Sequence, residues 1–313
     1  PTYYGYVLAT KAAVTVTANA QTKAYGAADP AFTYKSTGTL YNGDVFTGAL
    51  ARTAGETLGT YPINLGTLAL NSGYQITFVG ANLTITGTAP AITIQPTAQA
   101  TLPGNPVTFT AAASGNPAPA VKWQTGSGTN WTDIAGATAA SYTFTPTVAD
   151  DAKQFRAVFT SPAGSATTNA VALSVVSITS FTPTAGASAS SVVITGTGFT
   201  GATAVTFNGV AATTVTVNSN TQITAKVPAT ATSGVIAVTK GGVTATSSTN
   251  FTVTAAPAVT TQPTSQTVVA GSSVSLIAAA SGSPAPTVQW QSGNGTTWAN
   301  IPGATSATYT FTA

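Results

Sequence analysis

Apolar and polar residues alternate along most of this chain. Period-2 runs recur at Tyr74/Ile76/Phe78, Val107/Phe109/Ala111, Phe155/Ala157/Phe159, Val215/Val217, Ile223/Ala225/Val227 and Phe251/Val253. In a strand, successive side chains point to opposite faces. Each run therefore sends its apolar residues toward a core and the intervening Thr, Ser or Gln toward water. Turn residues punctuate the runs at roughly ten-residue spacing, among them NSG at 71–73, SGNPAP at 114–119 and NG at 208–209. No window of ten or more residues carries helical periodicity. The pattern predicts an all-β chain.

Internal repetition sets the organisation. Residues 90–145 realign with 257–312 at a constant offset of 167, without a gap, and about 33 of the 56 positions are identical. The first copy continues through FRAVFTSPAGSATTNAVALSV, then gives way from Ser177 to Thr254 to a different sequence. The second copy stops at Ala313, which predicts an incomplete unit with an apolar face and an unpaired edge near Tyr309 and Phe311. Its remaining strands either follow in sequence or come from a neighbouring chain by strand exchange. Seams at TAPA (88–91), around Val176 and at AAPA (255–258) read as domain junctions.

Composition narrows the chemistry. Only 5% of residues are charged, and 64 threonines supply the solvating surface in their place. There is no His, Cys or Met, and Glu56 is the one glutamate. Zinc sites built on His and Cys, Ser-His or Cys-His nucleophile pairs, haem and iron–sulfur ligation and disulfides are all excluded. Six acids and no histidine leave no group poised for general acid–base work, so the chain reads as non-enzymatic and without cofactor. The net charge of +3 rests on scattered cations, which predicts no nucleic-acid partner. No apolar stretch approaches ~20 residues, so no membrane span is predicted. The lack of oxidisable sulfur suits an extracellular setting.

Residues 196–201 read GTGFTG, the spacing of a dinucleotide-binding loop. That site needs a helix to follow, and the next residues, ATAVTFNGVAATTVTV, are strand-forming. The glycines are expected to permit a close strand crossing instead.

The stretch 177–254 carries P-T-x-G, V-x-I-x-G-x-x-F, V-x-F-x-G and T-Q-I-x-A-x-V-P in order, and resembles the IPT/TIG family of Ig-like domains. The duplicated units, 90–176 and 255–313, resemble bacterial Ig-like domains. That resemblance implies core tryptophans at Trp123 and Trp290, with Phe155 in the family's usual tyrosine position. Ala111 and Ala157 fall where bridged members carry cysteines, so packing alone must hold this version. Residues 12–89 carry K-x-Y-G-x-x-D-P at 23–30, N-G-D at 42–44 and G-T-Y-x-I at 59–63, and resemble the MBG modules of large bacterial surface proteins. Residues 1–11 resemble the last strand of a preceding module.

Together these resemblances imply tandem immunoglobulin-like β-sandwiches in an elongated array. They imply a stalk or filament on a bacterial surface, or secreted, for adhesion or cell–cell or matrix contact. The implied partners are copies of itself, further modules of the same polypeptide, or glycans and matrix components. Alternatives are a homopolymeric filament subunit, and accessory or carbohydrate-binding modules of a secreted enzyme. Trp131 and Trp298 are candidate glycan contacts, with edge packing as the other reading. Asp150 and Asp151 read as a solvated pair with one side chain capping a turn, and Asp29 and Asp44 as turn-formers. Lys23 with Glu56 is the formal candidate for an intramolecular isopeptide bond.

Overall fold

The computed structural model describes Pro1 and residues 10–313. Most of the strand expected over residues 1–11 lies outside these. Among the described residues the chain is built of strands, and the helical element is a single 3-10 turn, Val148–Asp150. It divides into two compact units. One holds residues 1–97, 108–143 and 154–171, and the other holds 98–107, 144–153 and 172–313.

In the first unit, Ala12–Ala18 lies between Tyr34–Thr37, antiparallel, and Tyr74–Val79, parallel. A second sheet runs Gln21–Ala24, Ala81–Thr86, Gly59–Asn64, Ala51–Arg52. The alternation in Ala12–Ala18 turns Val14, Val16 and Ala18 inward. Val16 and Ala18 share a core with Leu50, Ile63, Leu68 and Leu83.

The same unit carries the sheet of the first repeat. Ala120–Ser127 pairs with Asn130–Asp133 on one edge and Gln154–Ser161 on the other, setting Trp123 opposite Ala157 and Val121 opposite Phe159. Phe155, Ala157 and Phe159 face inward as the alternation predicts, and Trp123, Ala111 and Ala157 are fully buried. Phe109 stacks on Phe155 with centroids 4.7 Å apart and lies 6.2 Å from Trp123. The indole can be buried because its N–H donates to the Ala139 carbonyl at 3.0 Å. Aromatic rings and the small Ala111 and Ala157 side chains thus fill this part of the core.

In the second unit, residues 177–253 form two facing sheets. One runs Ser177–Thr182, Ser191–Thr197, Gln222–Lys226, Val215–Ser219; the other runs Ala185–Gly186, Val243–Val253, Gly234–Lys240, Ala204–Phe207, Val210–Ala211. Their core gathers Val192, Ile194, Phe199, Phe207, Ile223, Ile236 and Phe251. The Gly196 and Gly198 segment is a strand end and turn, not a helix start. A Cβ at Gly196 would collide with the Ser177 carbonyl, so the glycine serves close strand approach.

One alternating run departs from expectation. Val215 and Val217 are exposed, as is all of Val215–Ser219. That strand is the sheet's edge, paired on one side only, and its valines are only partly covered, at 38% and 36% exposure.

The second repeat keeps part of the first's pattern, although the strand matching Ala120–Ser127 is reduced to Gln291–Gly293 and the one matching Gln99–Thr101 is absent among the described residues. Ser273–Ile277 pairs with Thr308–Thr312, and Trp290 donates its N–H to the Ser306 carbonyl at 2.8 Å, the counterpart of Ala139. Its apolar side chains are less covered: Ile277, Trp298 and Phe311 are exposed, and Trp290 is buried.

Candidate functional site

The densest cluster of charge is a quartet on the sheet of residues 21–86. Gln21–Ala24 buries the Lys23 stem, and Ala51–Arg52 carries the guanidinium. Lys23 Nζ lies 2.6 Å from both Asp29 Oδ1 and Glu56 Oε2, while Arg52 Nε lies 2.6 Å from Asp29 Oδ2 and Arg52 Nη2 pairs with Glu56 Oε1. Arg52 Nη1 also donates to the Thr53 and Gly55 carbonyls, and its guanidinium sits 5.4 Å from the Tyr61 ring centroid. Hydrogen bonds first from Arg52 and then from Lys23 hold the Asp29 carboxyl down at about 2. Those from Lys23 and Arg52 likewise lower Glu56, and the two carboxylates raise Lys23.

This arrangement tells against the isopeptide reading, since the Lys23 amine is shared as an ion pair between Asp29 and Glu56. Amide formation needs a neutral amine and an uncharged carboxyl, and here every shift favours the ionised pair. Glu56 is also 60% exposed at its side chain. The cluster is an ion-pair network fastening the 29 and 56 loops to the sheet. Asp29 is therefore more than a turn-former. Asp44 likewise accepts from the Tyr74 hydroxyl at 2.9 Å.

The paired tryptophans have different surroundings. The Arg156 guanidinium covers Trp131 at 4.1 Å from the ring centroid, and Trp131 Nε1 donates to the Gly128 carbonyl at 2.8 Å. Trp298, at the equivalent place, is 61% exposed. Among the described residues, no group of three or more acidic side chains is placed to hold a metal.

The two adjacent aspartates part company. Asp150 caps its own turn, accepting from Thr147 N and Oγ1 at 2.8 and 2.9 Å and from Lys153 Nζ at 2.7 Å. Asp151 reaches out of the turn. Its Oδ1 accepts from Val175 N at 2.8 Å, and its Oδ2 accepts from Gly198 N at 3.0 Å and Asn220 Nδ2 at 2.6 Å. The solvated-pair reading fits Asp150 and fails for Asp151. Sequence reasoning missed the latter because two of its three donors are backbone amides, which leave no residue signature.

The seams are strands rather than open linkers. One residue separates the last strand of each segment from the first of the next: Gly87, Val176 and Thr254. TAPA and AAPA lie in strands that pair with Ala112–Asn116 and Ala279–Ser283. Side chains reach back across two seams, from Asn116 Nδ2 to the Tyr25 carbonyl at 3.0 Å and from Ser283 Oγ to the Val253 carbonyl at 2.7 Å.

Three stretches of the chain match known family models. Residues 14–84 match the MBG domain (YGX type), 90–177 a domain of unknown function (DUF8696), and 176–255 the IPT/TIG domain. The chain therefore carries an MBG-type module and an IPT/TIG-type module in series. The matched MBG and TIG modules are non-catalytic types. Endoglucanase C of Cellulomonas fimi is 44% identical over 68 residues, 22% of this chain and 6% of that enzyme's length. Among solved structures, Sidekick-1 immunoglobulin domains 1–5 align with 91% of this chain and 70% of theirs, at 18% identity and a TM-score of 0.30. An I-band fragment of titin aligns with 71% and 88%, at 14% identity and a TM-score of 0.34.

Proposed function

We propose that this chain is a non-catalytic structural segment of an extracellular bacterial surface fibre or adhesin, serving as its stalk or filament. The modules in this reading are 12–89, 90–176, 177–254 and 255–313. The observation that carries it is the strand-to-strand passage at Gly87, Val176 and Thr254. Domains joined by flexible linkers move independently by default. One-residue seams bridged by side chains transmit tension and hold spacing, which is what a stalk requires. The threonine-rich, nearly chargeless surface adds little electrostatic repulsion between neighbouring modules, so partner contacts with further modules or with copies of the same chain are favoured. Antibody raised against residues 177–254 should label intact producing cells or their shed fibres. Label confined to lysed cells would overturn the extracellular reading.

A second reading has its own observation. The match to a segment of an endoglucanase favours accessory modules of a secreted carbohydrate-active enzyme. In that reading the exposed Trp298 ring is the better stacking platform, because Arg156 already occupies the face of Trp131. Binding to insoluble glucan that is lost with Trp298→Ala supports it. Binding that survives the substitution, or is never seen, favours the stalk.

A further inference from the structure

Asp151 belongs to the 90–176 segment by sequence, yet two of its three donors lie beyond Val176. Gly198 N and Asn220 Nδ2 sit in the TIG module, 47 and 69 residues on. The seam itself is tied on both sides of the same carboxylate. Val175 donates its N–H to Asp151, its carbonyl accepts from Thr197 Oγ1 at 2.7 Å, and Val176 N donates to the Thr101 carbonyl at 2.9 Å. Val176 is fully buried in the TIG core, and Leu102 packs against that same core. A Cβ at Gly198, where φ is +73°, would come within 2.7 Å of the Val175 carbonyl, so this position admits glycine alone. Lys240 closes the far side by donating to Ser174 Oγ at 2.6 Å. Burial pulls its amine below the usual lysine range, and the Asp151 charge opposes that pull.

We infer that the forward end of the 90–176 module is a matched docking surface for a TIG module. Asp151 is its latch, and it recognises the Gly198 amide and the Asn220 carboxamide. A carboxylate accepting three hydrogen bonds is a strong, directional tie, and removing it leaves two amides and a carboxamide without their acceptor. The joint is therefore rigid, and the order of modules is written into side chains as well as into chain connectivity. This goes beyond the stalk reading, which would survive a hinged joint.

The chain lacks cysteine, so labels can be placed uniquely. Spin labels at Asn105→Cys and Thr216→Cys, both exposed, report the joint in the full chain. The wild-type latch predicts one narrow distance distribution. Asp151→Ala, and separately Asn220→Ala, should at least double its width, with the double variant no broader than the wider single one. Hydrogen exchange at the Gly198 amide should speed up at least tenfold in Asp151→Ala, while the Val192 and Ile194 amides of the TIG core stay protected. A distribution already broad in the unaltered latch, or unchanged width and Gly198 protection in both variants, would overturn the inference. Loss of protection at Val192 and Ile194 as well would also overturn it, by making Asp151 a folding residue rather than a latch.

Discussion

Asn116 and Ser283 occupy the same place in the repeat, 167 residues apart, and each donates a side-chain hydrogen bond to a backbone carbonyl of the preceding segment. The residues differ and the acceptors, Tyr25 and Val253, belong to unrelated sequences, yet the bond is kept. The glycine before each is also set alike: a Cβ at Gly115 would meet Pro90, Pro119 and the Thr88 carbonyl, and at Gly282 Pro257, Pro286 and the Ala255 carbonyl. A backward anchor is thus part of the repeat's design, whichever module comes before it.

Replacing either anchor by alanine should loosen its seam modestly. Asn116→Ala and Ser283→Ala are each expected to cost about 0.5–1.5 kcal/mol, as for a single hydrogen bond. Ser283→Ala should be the more costly, since its bond is partly buried and that of Asn116 is exposed. Urea unfolding of the full chain checks both; equal or absent effects would mean that the seams are held by the strands alone.

The ion quartet makes the 12–89 module acid-sensitive. Asp29 and Glu56 have folded-state values below their unfolded ones. The Asp29 contribution is complete above about pH 4 and is lost as pH falls through about 2, and Glu56, also lowered, loses its contribution in the same direction on acidification. Thermal unfolding of this module should hold steady from pH 8 to 5 and decline below about pH 4. Asp29→Asn should flatten that decline, and an undiminished decline would assign it to other carboxylates.

Trp123 should be the costliest single site in the first repeat. Trp123→Ala empties a fully buried volume and is expected to cost about 3–5 kcal/mol. Trp123→Phe keeps much of the packing but strands the Ala139 carbonyl, for about 1–3 kcal/mol. Calorimetry of both variants checks the order, and near-equal losses would mean that volume alone matters.

Much of this was readable in the residues. Strict alternation at Val107/Phe109/Ala111 and Phe155/Ala157/Phe159 marks faces that the structure buries, because both strands have a second layer to pack against. The same alternation at Val215/Val217 misleads, since periodicity tells which residues share a face but not whether that face is covered. The Pro-Ala seams look like linkers by composition, yet their backbones enter ladders with strands some twenty residues on. The charged quartet joins residues 33 apart, Lys23 and Glu56, through a fold that sets their loops side by side. Asp151 was least legible of all, because backbone amides are its principal partners and any sequence supplies those.

Pulling the chain end to end tests the central claim, that these are separately folded modules joined to bear tension. Single-molecule force extension should give discrete unfolding peaks, releasing roughly 26–31 nm for the modules of 78 to 87 residues and roughly 19–21 nm for the 59 residues of 255–313, at about 3.3–3.6 Å per residue. A smooth extension without peaks, or one release of the whole length, would contradict it.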